Sequence, residues 1–347
     1  MKQPLSHTTK PISRRAFLSL TSTLSLGVAT LGVPLPSEAV KFDRNLYKVS
    51  KNHLSMGTFV NMLAFHPSQG EAEEAMGRAF EEINRLTAFM TRFESASYIG
   101  HLNGSGFLDN PPAEVMEVLR SSLHYHRLSG GTFDITIKPV VDLYQESFRL
   151  NNGPPSSETL QEALEKVGSH HLTLTKTSVS FGRSGMEVTL DGIAKGYIVD
   201  RAMDVLRQKK IQHALINAGG DILVYGGKGE SKPWKIGIQD PWKRKGHVDV
   251  VTLNNGAIAT SGNYEVFFDR DKLFHHLIRP SSGSPAPETA SVTIRAASCM
   301  EADAIATSVY VMGPARGNQF MRQVPSIEGL IINSQVKKMP STGWKRS

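Results

Sequence analysis

The sequence is poor in cysteine, with a single thiol at Cys299 among its 347 residues. One cysteine excludes a disulfide framework within the chain, a cysteine-rich zinc site and an iron–sulfur cluster. Beyond residue 39 the sequence also lacks any run approaching the roughly 20 apolar residues that span a bilayer. We therefore expect no membrane span in the mature chain, and we expect Cys299 to be a small buried residue rather than a nucleophile.

Four familiar nucleotide-binding and catalytic motifs are missing as well. The sequence contains no G-x-x-x-x-G-K-[ST] loop, and no G-x-G-x-x-G follows a predicted strand. It also lacks the G-x-S-x-G nucleophile elbow and the H-E-x-x-H metal pair. These absences argue against the common nucleotide-binding loops, serine hydrolases of the α/β type and zinc metalloproteases.

The net charge of the chain is also small. There are 39 Lys and Arg against 32 Asp and Glu, and four of the basic and one of the acidic residues lie within the first 39, leaving 35 against 31. No basic stripe interleaved with aromatic residues stands out, so we expect no nucleic-acid partner. A hydrophobic content of 39% with this modest net charge excludes a mainly disordered chain.

The N-terminal segment has the pattern of an export signal peptide. Arg14 and Arg15 precede a moderately apolar run over residues 17–33, which small residues then follow at a cleavage-type position. We expect residues 1–39 to be a twin-arginine-type signal peptide and residues 40–347 to reach the periplasm already folded. An ordinary secretory signal is the alternative interpretation of the same pattern.

Hydrophobic periodicity predicts a mixture of helices and strands in one α+β domain. Helices are predicted where apolar residues recur every three or four positions: 71–90, 113–128, 158–167, 194–209 and 301–312. Strands are predicted for short segments that alternate or are bounded by turn residues: 61–65, 171–175, 186–190, 214–217, 222–225, 234–238, 248–253 and 257–260. The two types do not alternate as in βαβ units, and no linker or repeat divides the chain.

A carboxylate and a hydroxyl share one face of the last predicted helix. Asp303 and Thr307 are four residues apart, so their side chains project side by side. Both offer hard oxygen ligands of the kind that suit Mg²⁺. The alternative is structural: a partly buried Asp near a helix N-terminus and a Thr bonded back into its own turn.

A second candidate lies where a predicted strand meets a helix. Gly192 and Gly196 flank the start of that helix, where backbone N–H groups and the helix dipole attract phosphate, and Lys195 adds a positive charge. The alternative is an ordinary turn with a solvated lysine. A glycine pair, an aromatic and a carboxylate within residues 130–139, predicted as a helix-to-strand turn, form another candidate pocket wall. The alternative for this segment is an ordinary turn.

Seven segments occur in the order and spacing of one known family. They are 56–58, 130–139, 192–197 with Asp200, 217–221, 260–262, 276–280 and 301–307. In these motifs the chain resembles the ApbE-type flavin transferases, and the resemblance extends from about residue 56 to residue 313. It implies a single α+β domain with mixed or antiparallel sheets and packed helices.

The resemblance implies an activity. Members of this family are Mg²⁺-dependent FAD:protein FMN transferases: they cleave FAD, attach FMN through a phosphoester bond to a Thr or Ser of a target flavoprotein, and release AMP. The implied partners are FAD as substrate and a periplasm-facing acceptor domain of a respiratory or redox complex. The alternatives are an FAD pyrophosphatase, which yields FMN and AMP, and a periplasmic flavin-binding protein without turnover.

Family roles transfer to residues of this sequence through the matched motifs. Asp303 and Thr307 correspond to side-chain Mg²⁺ ligands, and the backbone carbonyl of Gly192 corresponds to a main-chain ligand. The resemblance places eight residues in contact with FAD: Met56, Phe93, Thr132, Phe133, Asp134, Thr189, Lys195 and Ile278. Asp303, Thr307 and Lys195 are also assigned to catalysis. His276 is a candidate base by residue type, and a structural or phosphate-contacting role is its alternative.

Five positions depart from the family pattern. Phe93 stands where tyrosine is common, so a ring is kept and a hydroxyl is lost. Where the family often has Asp-Leu-Gly-Gly, this chain has Thr189 at the first position and Asp191 at the third, so the carboxylate is displaced by two positions. Lys138 replaces a frequent glycine, and Arg279 replaces an acidic or amide residue. These changes bear on the contacts to FAD rather than on the metal pair.

Export should depend on Arg14 and Arg15, because the twin-arginine route reads the pair itself and not merely its charge. Replacing both residues with Lys keeps the charge and is expected to hold the protein in the cytoplasm. Cell fractionation with an immunoblot checks this. Normal delivery of the double variant to the periplasm would identify the signal as an ordinary secretory one.

Overall fold

A computed structural model describes residues 38–42, 45–229, 232–242, 244, 246–263, 268 and 274–344. The predicted signal peptide lies outside the described residues, except for Glu38 and Ala39, which begin the first strand. Cleavage after Ala39 would therefore fall within that edge strand.

The described part of the chain contains eight α-helices. They are α1 (Gln69–Met90), α2 (Tyr98–Ser105), α3 (Ala113–Leu128), α4 (Lys138–Asn151), α5 (Ser157–Leu164), α6 (Ala194–Gln208), α7 (Cys299–Met312) and α8 (Pro314–Gln323). Every predicted helix is confirmed within a few residues at each end. Among the described helices, none is both long enough and apolar enough to cross a membrane.

Fourteen strands are described. The first seven are β1 (Glu38–Lys41), β2 (Tyr47–Ser55), β3 (Thr58–His66), β4 (Phe107–Asp109), β5 (Leu172–Leu174), β6 (Ser178–Phe181) and β7 (His213–Ala218). The others are β8 (Asp221–Tyr225), β9 (Trp234–Gln239), β10 (His247–Leu253), β11 (Gly256–Gly262), β12 (Thr289–Ala296), β13 (Glu328–Asn333) and β14 (Lys338–Pro340).

Nine of these strands form one antiparallel sheet in the order β1-β2-β3-β7-β8-β11-β12-β13-β14. A β9–β10 hairpin and a three-stranded sheet in the order β4-β6-β5 stand apart from it. Alternating residues of the large sheet point to opposite sides, as strand geometry requires. Ala257 and Ala259 of β11 join the large core that includes the helices, whereas Ile258 joins a second core formed with the β9–β10 hairpin.

Two tight hairpins place loops next to each other at one end of the sheet. Met56 and Gly57 connect β2 to β3 with φ values of 53° and 70°, and Gly219 and Gly220 connect β7 to β8. A Cβ on Gly219 would lie 2.5 Å from the Thr58 hydroxyl oxygen, so the two hairpins touch there. Glycine is required at that position by both its positive φ and the close approach.

One predicted strand and one predicted turn are wrong. Residues 186–190 belong to no strand, because part of their backbone is bonded to the Asn103 side chain and to the carbonyl of Ile135 in a 3₁₀ turn. The Asn103 side chain accepts from the Val188 N–H at 2.7 Å and donates to its carbonyl at 2.9 Å. Residues 130–139 lead into a short 3₁₀ turn and then α4, so they connect two helices and not a helix and a strand.

Replacing Asn103 with Ala should loosen the segment that leads into Gly192. The change removes both partners of the Val188 backbone and is expected to lower the free energy of unfolding by about 1–3 kcal/mol. Thermal or urea denaturation checks this. Asn318→Ala is the control, because Asn318 makes one long bond, of 3.5 Å, to Pro340. Equal stability of the two variants would contradict the bracing role of Asn103.

Candidate active site

A cavity of about 420 Å³ opens between the helices and one end of the large sheet. This volume is within the usual range of small-molecule sites. Every candidate site residue from the sequence lines it: Met56, Phe93, Thr132, Phe133, Asp134, Thr189, Gly192, Lys195, His276, Ile278, Asp303 and Thr307. The fold thus gathers residues that lie up to about 250 positions apart in the sequence around a single space.

The carboxylate of Asp303 and the hydroxyl of Thr307 face this cavity from α7. Asp303 is 5% exposed, and its Oδ2 accepts the N–H of Gly196 on α6 at 3.2 Å. The Thr307 hydroxyl lies 3.3 Å from that of Ser261 in β11. A Cβ on Gly192 would come within 3.0 Å of the Thr307 Oγ1, so Gly192 lies directly against this hydroxyl.

These oxygens suit a hard divalent cation. The donors are the Asp303 carboxylate, the Thr307 hydroxyl and, from the resemblance, the Gly192 carbonyl. Within the described residues there is no group of three or more His, Cys, Asp or Glu placed to share a metal. A cation held by one carboxylate and neutral oxygens keeps positions for water and phosphate oxygens, which is the habit of Mg²⁺. The residues present therefore fit the implied ion.

The ammonium of Lys195 stands at the start of α6 and is held by a buried carboxylate. Its Nζ lies 2.8 Å from Asp221 Oδ2, with side-chain exposures of 28% for Lys195 and 3% for Asp221. Lys195 is thus an anchored cation and not the freely solvated lysine of the alternative. The turn itself is less open to phosphate than the sequence suggests, because the N–H of Ala194 donates to the Leu190 carbonyl and that of Gly196 to Asp303.

Asp134 organises one wall of the cavity. Its Oδ1 accepts the backbone and hydroxyl groups of Thr136 and the hydroxyl of Ser169, and its Oδ2 accepts the Ser169 N–H. The Nδ1 of His126 lies 3.3 Å from the same Oδ2 and 2.9 Å from the Phe133 carbonyl oxygen. These contacts use most of the lone pairs of the carboxylate, so Asp134 ties this wall to Ser169 whether or not it also touches a ligand.

The mouth of the cavity carries an exposed aromatic ring backed by a cation. The Phe93 ring is 62% exposed, and the Arg92 guanidinium lies 4.5 Å from its centroid. Arg92 is fixed by Asp142 at 3.2 Å and Asp191 at 3.1 Å, and its side chain is only 9% exposed. One face of the ring is therefore supported, and the rest of it is available for stacking.

Comparison with known proteins identifies the family of the chain. The profile of the ApbE family matches residues 56–331. The chain belongs to the ApbE family. It is 31% identical over 290 residues to the FAD:protein FMN transferase of Escherichia coli K12, covering 80% of this chain and 81% of that protein. A Vibrio cholerae FAD:protein FMN transferase is 29% identical over 277 residues, covering 77% and 82%.

Solved ApbE structures share the fold. The ApbE protein of Thermotoga maritima matches with a TM-score of 0.78 and 27% identity, over 85% of this chain and 97% of that one. The flavin transferase ApbE of Vibrio cholerae matches with a TM-score of 0.74 and 26% identity, over 88% and 98%. These likenesses confirm the expected single α+β domain of the ApbE type, with antiparallel sheets and packed helices.

The charged residues at which the chain departs from the ApbE pattern all have ion-pair partners. Lys138 contacts Asp142 at 2.5 Å and also pairs with Glu187. Asp191 pairs with Arg92, which also contacts Asp142, so the two departures belong to one chain of ion pairs. The third departure, Arg279, pairs separately with Glu288 at 2.5 Å. Each of these charges therefore has a local counter-ion.

Two functional neighbours of the site were not predicted. Arg92 lines the cavity, but an arginine beside an aromatic after a helix is too common a pattern to single out. Asp221 falls within the matched segment 217–221, but its pairing with Lys195 depends on a hairpin that is distant from Lys195 in the sequence. The expectation for Cys299 is confirmed: the thiol is fully buried, and burial raises its pKa well above the ordinary value.

Removal of the Asp221 charge should release Lys195. Asp221→Asn is expected to lower the free energy of unfolding by about 1–3 kcal/mol, because a half-shielded ammonium loses its buried counter-ion. Lys195 should also react faster with an acylating reagent, as followed by peptide mass spectrometry. Asp204→Asn is the control, since Asp204 pairs with arginines at the surface of the same helix. Unchanged acylation of Lys195 in Asp221→Asn would contradict the anchoring.

Proposed function

We propose that this chain is a Mg²⁺-dependent FAD:protein FMN transferase that acts on a Thr or Ser hydroxyl of a periplasmic flavoprotein domain. The observation that carries the proposal is the convergence of Asp303, Thr307, Gly192 and Lys195 at one end of a single ligand-sized cavity. Membership of the ApbE family and the printed activity of its relatives support it. The twin-arginine-type N-terminus supports the periplasmic location.

In the proposed reaction, the acceptor hydroxyl oxygen attacks the FMN phosphorus of the FAD pyrophosphate. A new P–O bond forms to the Thr or Ser, the bond to the AMP phosphate breaks, and AMP leaves with the bridging oxygen. The hydroxyl proton passes to a base. His276 is our candidate for it, because among the described residues that line the cavity it is the histidine.

The residues divide the work between binding and charge stabilisation. Asp303, Thr307 and the Gly192 carbonyl would hold Mg²⁺, whose chemistry is to neutralise charge on the phosphate oxygens. Lys195 supplies a second positive group, and its anchoring by Asp221 fixes that charge before substrate arrives. Phe93 offers a supported ring for stacking with a flat ring system, and Ile278 and Phe133 provide apolar wall.

An acceptor experiment tests the proposal. The mature protein is incubated with FAD, Mg²⁺ and a candidate periplasmic flavoprotein domain, and the intact mass of the acceptor is measured together with free AMP. A gain of one FMN with stoichiometric AMP is the expected result. AMP without a mass gain would indicate an FAD pyrophosphatase, and neither product would indicate a flavin-binding protein without turnover.

Asp303→Asn should separate the metal role from a structural one. The change keeps shape and removes the anionic charge, so AMP release is expected to fall by about 10²–10³-fold, with partial rescue at high Mg²⁺. Glu301→Gln is the matched control on the same helix, since its carboxylate bonds to Ser326 away from the cavity. AMP release is measured against Mg²⁺ concentration, beside a melting curve.

A structural Asp303 would give the opposite pattern. Loss of its bond to Gly196 would lower stability by about 0.5–2 kcal/mol and leave the chemistry largely intact. Near-normal turnover with an unchanged Mg²⁺ dependence would therefore exclude Asp303 as a metal ligand.

A further inference from the structure

Helices α6 and α7 meet at their N-terminal turns, and each supplies a carboxylate to the other. Asp303 of α7 accepts the N–H of Gly196 at 3.2 Å. In return Asp200, one turn further along α6, accepts the N–H groups of Cys299 at 2.8 Å and of Met300 at 2.9 Å. Two N–H groups that have no partner inside α7 are therefore capped by a side chain from the neighbouring helix.

The two helices are also in backbone contact at this point. A Cβ on Gly196 would lie 2.4 Å from the Cys299 carbonyl oxygen and 2.8 Å from the Met300 Cα. No side chain separates the two backbones at Gly196. A small change in how α7 sits on α6 would therefore shift every residue further along α7.

We propose that Asp200 is a positioning residue. Its carboxylate fixes the position and the rotation of α7 relative to α6. It thereby fixes where Asp303 and Thr307 lie relative to Lys195. Asp303 lies one turn and Thr307 two turns beyond Cys299, so they follow any movement of the capped first turn. The inference rests on the proposed function, because Asp200 acts through the residues that would hold the cation.

Burial opposes the charged form of Asp200, which points to a role of the charge other than stability. Burial raises the pKa of Asp200 to about 6, although the N–H groups of Met300 and Cys299 and the nearby Arg201 lower it, and Asp204 adds a small rise. A carboxyl whose pKa is raised on folding binds its proton more tightly in the folded state. The stability of the protein therefore falls as the pH rises through about 4 to 6. Removing the charge should not destabilise the protein above that range.

Asp200→Asn is the variant that tests the role, with Asp204→Asn as the matched control on the same helix. Mn²⁺ binding followed by electron paramagnetic resonance reads the metal site without turnover. In Asp200→Asn we expect Mn²⁺ affinity to fall by about fivefold or more and AMP release by about tenfold or more, because small displacements of aligned groups are costly. Its melting temperature at about pH 7.5 should equal or exceed that of the unmodified protein.

Each other outcome overturns the role. Mn²⁺ affinity and AMP release within about twofold of the unmodified protein would show that the Asp200 charge does not position α7. A variant that melts early or is insoluble would show that the carboxylate serves the fold instead. If the unmodified protein binds Mn²⁺ but releases no AMP, the transferase proposal fails while the Mn²⁺ comparison still decides the role of Asp200. If it binds no Mn²⁺ at all, both proposals fail.

Discussion

The arrangement of this site depends on the direct backbone contact between α6 and α7 at Gly196. Helices normally keep 8–10 Å between their axes because side chains separate them, and a glycine at the crossing removes that spacer. The contact lets Asp303 reach the N–H of Gly196 and lets Asp200 reach the first turn of α7. A cation, a carboxylate and a hydroxyl from two different helices are thereby brought to one end of a cavity.

Electrostatics gives the cavity its chemical character. The cations of the lining have fixed counter-ions: Lys195 is held by Asp221 at the inner end, and Arg92 by two carboxylates at the mouth. Charges fixed in advance do not have to reorganise when a phosphate group gains charge, and such preorganisation is a large contribution to catalysis in many enzymes. Lys138 and Asp191, two of the charged departures of this chain, are likewise paired with local counter-ions.

Sequence patterns predicted the local features well and the long-range ones poorly. The four-residue spacing of Asp303 and Thr307 was enough to predict that their side chains share one face, because helix geometry fixes that face whatever surrounds it. Strand β12 was missed although Thr289–Ala296 alternates polar and apolar residues at every position. Its polar residues are nearly all buried as well, which the alternation does not predict. The segment 186–190 alternates as a strand does, yet Asn103 takes the backbone bonds of Val188 that a partner strand would need. Arg92 and Asp221 acquire their roles only through partners distant in sequence.

The measurement that tests the central claim most directly is the coupling between a bound metal and the phosphates of FAD. Mn²⁺ is added to the protein with FAD, and phosphorus hyperfine coupling is recorded by electron–nuclear double resonance. The account predicts a clear phosphorus coupling in the unmodified protein, which Asp303→Asn abolishes and Glu301→Gln preserves. Mn²⁺ that shows no phosphorus coupling, or a coupling that survives in Asp303→Asn, would contradict the claim that α7 holds a metal against the FAD pyrophosphate.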